Sequence, residues 1–137
     1  MNPTVPATPP PRKIQIAQAV ATGLIIAVPA AMANVILAAQ HPRPQAWLNL
    51  TLLILLLAFF TAGLVVGLSI PDNTARTGAQ AALIAFVPIE LIGILGRLDR
   101  GEHISIPNIV LVGFLAAMAG TMGALFGLRK LSRKDLP

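Results

Sequence analysis

The chain contains no cysteine and no tyrosine, and acidic and basic residues together fill only 11% of its 137 positions. Without cysteine there can be no disulfide, thiolate metal site, iron–sulfur cluster or cysteine nucleophile. The two histidines, His41 and His103, lie too far apart for the H-x-x-x-H or H-x-x-H spacing that aligns ligands on a helix, so no metal site or other cofactor is expected. A net charge of +5 and a pI of about 11.3 would suit nucleic acid, but recognition also needs stacking aromatics, and those make up 4% of the chain. Nucleic acid is therefore excluded as a partner. A soluble domain carries about 25% charged residues. The deficit here, with 55% apolar residues and a mean hydropathy of +0.78, excludes a soluble globular protein and makes the lipid bilayer the first partner.

What is present is four apolar runs, residues 14–39, 46–70, 79–96 and 104–128. At 1.5 Å per residue these reach roughly 27 to 39 Å, against a hydrocarbon core of about 30 Å, so each is long enough to cross. Residues 1–13 form a proline-rich tail expected to be disordered, with PxxP spacing at Pro3, Pro6 and Pro9. Residues 129–137 form a basic tail in which Arg129, Lys130, Arg133 and Lys134 suit anionic lipid headgroups. Short loops rich in Pro, Gly and charge make consecutive helices antiparallel neighbours.

Seven Lys and Arg residues fall on the side of the termini (Arg12, Lys13, Arg76, Arg129, Lys130, Arg133, Lys134) and three on the other (Arg43, Arg97, Arg100). That bias predicts a multi-pass plasma-membrane protein with both termini cytoplasmic, and it places Trp47 at the outer interface. Arg12-Lys13, the following apolar run and Ala31-Met32-Ala33 also match a cleavable signal peptide. The run continues to Ala39, however, which favours a retained helix.

The chain also matches itself. Leu24 to Pro29 (LIIAVP) overlies Leu83 to Pro88 (LIAFVP) at an offset of 59, and Thr61 to Leu68 (TAGLVVGL) overlies Thr121 to Leu128 (TMGALFGL) at 60. The expected fold is an all-α integral membrane protein, four transmembrane helices forming two tandem helical hairpins about a pseudo-twofold axis along the membrane normal. Pro29 and Pro88 are expected to kink their helices at matching positions.

Gly113, Gly120, Gly123 and Gly127, with intervening alanines, form a small-residue seam on the fourth helix, and Gly63 and Gly67 repeat it on the second. In lipid such seams let backbones approach closely, so the second and fourth helices are expected to pack against each other across the pseudo-axis, the alternative being that the seam faces another subunit. Glu90 is the single ionisable residue deep in a span. It must be paired or protonated, because a charge there costs about 2.5 to 3.5 kcal/mol. The offset aligns Gly93 with Asn34, so Asn34 or a threonine is expected to hydrogen-bond Glu90, with Gly93 admitting another backbone. Arg97, seven residues on, is expected to be too distant to pair directly. No nucleophile–base arrangement appears, so an enzyme is not expected. The leading expectation is an accessory or assembly protein that packs against other membrane subunits through its Gly/Ala seams. The competing one is a small homo-oligomeric transporter or channel, ion- or proton-coupled, that uses Glu90.

Overall fold

The computed structural model describes residues 10–70 and 72–134, and these form four long helices. They are α1 (Arg12–Ala38), α2 (Gln45–Ser69), α3 (Thr74–Asp99) and α4 (Ile106–Lys134). All four are long and apolar enough to span a membrane, which makes this an all-helical, multi-pass membrane protein by length and composition.

The helices begin and end where local chemistry dictates. Pro11, at φ −58° and ψ 145°, and Pro44 each precede a first turn, and Asn73 enters α3 in the left-handed conformation (φ 51°) that asparagine tolerates. After Arg100, Gly101 takes φ 68°. Its N–H bonds to the Leu98 carbonyl at 3.0 Å and the Glu102 N–H to that of Arg97 at 2.9 Å, so the chain reverses and the last carbonyls of α3 are satisfied.

The helices outrun the apolar runs at several ends. Arg12 and Lys13 belong to α1, α3 starts five residues before position 79, and α4 continues through the basic residues to Lys134. Backbone hydrogen bonding does not stop where hydropathy falls. Lys and Arg are good helix formers, and no Pro or Gly falls in the basic ends at 12–13 and 129–134. The proline-rich tail at 1–9 lies outside the described residues, as do 135–137.

Burial is sorted by size. The interior is built largely of alanine, including Ala27, Ala31, Ala58, Ala82, Ala85 and Ala116, around Phe59 and Ile89. Large side chains such as Ile25, Leu53, Leu95, Val110, Phe114 and Met122 point outward. Lipid solvates those side chains as well as a protein core would, so the helices are held by close backbone approach and by hydrogen bonds between them, such as Arg12 Nη2 to Thr77 Oγ1 at 2.8 Å.

The closest approach joins α2 to α4. A Cβ built on Gly63 would lie 2.7 Å from the carbonyl carbon and 2.8 Å from the Cα of Gly120, and one on Gly123 would lie 2.9 Å from the Leu64 nitrogen. Gly67 faces Ala124, Gly127 faces Leu64 and Gly67, and Gly78 of α3 sits against Gly120. Among the described residues α2 touches α3, but α1 does not touch α4. A twofold exchanging the hairpins would carry one contact onto the other, so the two hairpins pack unequally.

Candidate functional site

All these glycine contacts lie at or beyond the helix midpoints on the side of the termini. Towards the loop end, where α1 joins α2 and α3 joins α4, the helices instead enclose a cavity of about 260 Å³. Every helix contributes to it: Ala31 and Asn34 from α1, Leu52, Leu55 and Phe59 from α2, Phe86, Glu90, Gly93 and Arg97 from α3, and Asn108, Val112 and Leu115 from α4. These α3 residues fall at i, i+4, i+7 and i+11, with Ile89 beside them, on one helix face. Phe86 packs edge-on to Phe59, with ring centroids 6.2 Å apart, so the apolar part of the cavity lies nearer the bundle middle. Arg97, in the last turn of α3, and Asn108, in the first turn of α4, bring polar groups to the loop end.

Glu90 is paired with the residue expected to be out of reach. Arg97 Nη1 donates to Glu90 Oε1 at 2.9 Å, and the two side chains are 13% (Glu90) and 24% (Arg97) exposed. The expectation failed because it measured the axial rise between backbones. Helical side chains lean towards the N-terminus, and an arginine there spans most of two turns back towards the acid. The hydrogen bond expected between Asn34 and Glu90 is replaced by another. Asn34 Nδ2 donates to Thr51 Oγ1 at 2.6 Å, tying α1 to α2, while the Asn34 residue still lines the cavity. Gly93 admits no neighbouring backbone; a Cβ there would meet nothing within 4 Å.

The two prolines do not converge on this site. Helices α1 and α3 run unbroken through Pro29, which is exposed, and Pro88, which is half-buried, and neither lines the cavity. The glycine seam is spent inside the chain, with Gly113 set against the Phe86 ring at 3.3 Å from a built Cβ. Arg129 and Lys130 are exposed at the end of α4; Arg133 and Lys134 continue that helix, and their side chains lie outside the described part.

A second polar group closes the loop end. Glu102 accepts from Arg43 of the α1–α2 loop at 2.5 Å and from Arg100 at 3.1 Å. The hydrogen bond from Arg100 is the main cause holding the Glu102 carboxyl below its usual range, against a smaller opposing effect of desolvation, with the charges of Arg100 and Arg43 adding to it. Glu102 is thereby committed to these two arginines.

Sequence reasoning missed Arg97, Asn108, Phe59 and Phe86 as lining residues. The α3 stripe was legible as spacing; the α2 and α4 members depend on how the helices pack. The chain matches no known family model, no curated protein and no solved structure.

Proposed function

We propose that the chain is a small membrane transport protein that takes a polar solute into the cavity around Glu90 and Arg97. In this reading it lies in the plasma membrane with both termini cytoplasmic, as the Lys/Arg bias suggests, so the cavity faces outward. The observation that carries the proposal is an ion pair set at membrane depth beside a cavity that all four helices line. A pair serving only cohesion is poorly explained, because apolar residues of similar volume are often as stabilising. Intramembrane charges facing a cavity mark solute or ion paths by default. The accessory role has less support, since the glycines that would dock a partner already contact helices of the same chain. No catalytic step is assigned.

The test is solute-driven swelling of proteoliposomes, followed by light scattering, across small neutral, cationic, anionic and zwitterionic solutes. Wild type should admit at least one group faster than the Glu90→Leu/Arg97→Leu double variant, which removes both charges together and leaves no unpaired ion. Identical traces for wild type, double variant and protein-free liposomes overturn the reading.

A further inference from the structure

The ion pair leaves valence unspent on both partners. Glu90 uses Oε1 alone, and among the described residues its Oε2 takes no hydrogen bond. Arg97 uses Nη1 alone, leaving Nη2 and Nε as further donors. Both side chains line the cavity, so its wall offers an anionic acceptor and a cationic donor within one ion-pair distance of each other. Asn34 commits its amide N–H to α2, but its Oδ1 accepts no hydrogen bond among the described residues. The wall below is apolar and partly aromatic, formed by Phe59, Phe86 and Leu55.

This arrangement discriminates by charge. A simple cation gains from Glu90 and is repelled by Arg97 next to it; a simple anion meets the reverse. A ligand carrying both signs satisfies both groups and brings no net charge to membrane depth. The volume sets its size, since about 260 Å³ holds roughly nine waters at ~30 Å³ each, and so a solute of about that many non-hydrogen atoms. An ammonium with methyl substituents would rest its methyls on the aromatic wall.

Building on the transport reading, we propose that the cavity is a binding site for a small zwitterion, its ammonium or methylated ammonium on Glu90 Oε2 and its anionic group on Arg97. The same chemistry occurs in a free amino-acid-sized or betaine-like solute and in the headgroup of a zwitterionic phospholipid.

The natural absence of cysteine makes Gly93→Cys a single reporter in the cavity, at a position where an added side chain meets open space. Its modification by a membrane-impermeant maleimide is followed in nanodiscs containing only phosphatidylglycerol, with glycine betaine, choline chloride or sodium acetate added. The expected result is rapid labelling, slowed about tenfold by betaine and by neither single-charge probe. Adding Glu90→Gln should transfer protection to acetate, and adding Arg97→Gln should transfer it to choline. A purely structural pair would not move in that way. Nanodiscs of phosphatidylethanolamine that block labelling without added solute identify a headgroup as the zwitterion; unblocked labelling assigns the site to the free solute. Labelling that no zwitterion slows, or that choline or acetate slows equally, overturns the ligand class and leaves the transport reading to the swelling assay. Absence of labelling shows that the cavity is sealed from water and overturns both.

Discussion

Two glycine-to-alanine substitutions, Gly63→Ala and Gly93→Ala, should move stability in opposite directions. Both lie inside helices, so each gains about the same 0.8 to 1.0 kcal/mol of helix propensity, and that gain cancels in the comparison. What remains is the space each methyl meets. At Gly93 a Cβ meets nothing within 4 Å. At Gly63 it would lie 2.7 Å from the Gly120 carbonyl carbon and 2.8 Å from its Cα, and backbone cannot rotate aside as a flexible side chain can. The Gly120 carbonyl oxygen lies nearer still, so helices α2 and α4 must separate by roughly an ångström or more to reach ordinary contact. That separation also loosens the Gly67–Ala124 and Gly123–Leu64 contacts of the same interface. Overpacking of this kind costs about 1 to 3 kcal/mol, a factor of roughly 5 to 150 in the folded-to-unfolded ratio between the two variants. The measurement is thermal denaturation in mild detergent, scored by the monodisperse fraction surviving size exclusion. Gly93→Ala should equal or exceed wild type, and Gly63→Ala should fall below it. A Gly63→Ala protein as stable as Gly93→Ala would refute the claim that direct backbone contact at the seam holds the bundle.

The clasp at the loop end should respond to acid. A carboxyl held below its ordinary value of 4.5 contributes fully above that pH and loses its contribution as pH falls through the lowered value. Hydrogen exchange in the α1–α2 and α3–α4 loops should therefore be constant from pH 5 to 8, after correction for intrinsic rates, and rise as pH falls below 4.5 through the lowered value; Glu102→Gln should show the raised level throughout. Asn34→Leu should cost about 0.6 to 1.5 kcal/mol through loss of the Thr51 bond, read as a lowered denaturation midpoint; an unchanged midpoint would deny that bond a stabilising role. For topology, Ser105→Cys should react with impermeant thiol reagent added to intact cells while Ser132→Cys reacts only after lysis, and the opposite pattern would invert the orientation.

The four spans were legible because an uncharged run of membrane length admits little other reading. The seam was legible too, since a glycine or alanine every third or fourth residue puts all of them on one helix face. That it would meet the matching glycines of α2 was one of two readings, the other being a partner subunit, and the contacts follow the first. Gly63 opposes Gly120, and Gly78 from α3 enters the same contact, a three-helix junction that self-comparison of the chain does not suggest. The internal match pointed to equivalent hairpins, yet α2 touches α3 while α1 and α4 stand apart, because similar apolar strings do not fix the way helices associate. Glu90 stood out as an intramembrane acid. Its partner was misjudged because axial rise is a property of the backbone, and a long arginine side chain reaching back along its own helix escapes that measure.

Seam and cavity follow from one distribution of side-chain size. On the terminal side, Gly63, Gly67, Gly120 and Gly123 bring α2 and α4 together. Towards the loops the same two helices present Leu52, Leu55, Leu56, Val112 and Leu115, whose bulk prevents comparable approach, and the cavity lies among them. The charges sit where that bulk leaves room, and both ride on α3. A pair carried by one helix stays paired whatever α3 does relative to its neighbours, so no movement of α3 exposes a lone charge to lipid, the costly outcome for an intramembrane ion. Had Glu90 and its partner been on different helices, their attraction would have locked those helices together. With both on α3, the pair adds no link between helices, and the links between α3 and its neighbours are left to packing such as Gly78 against Gly120.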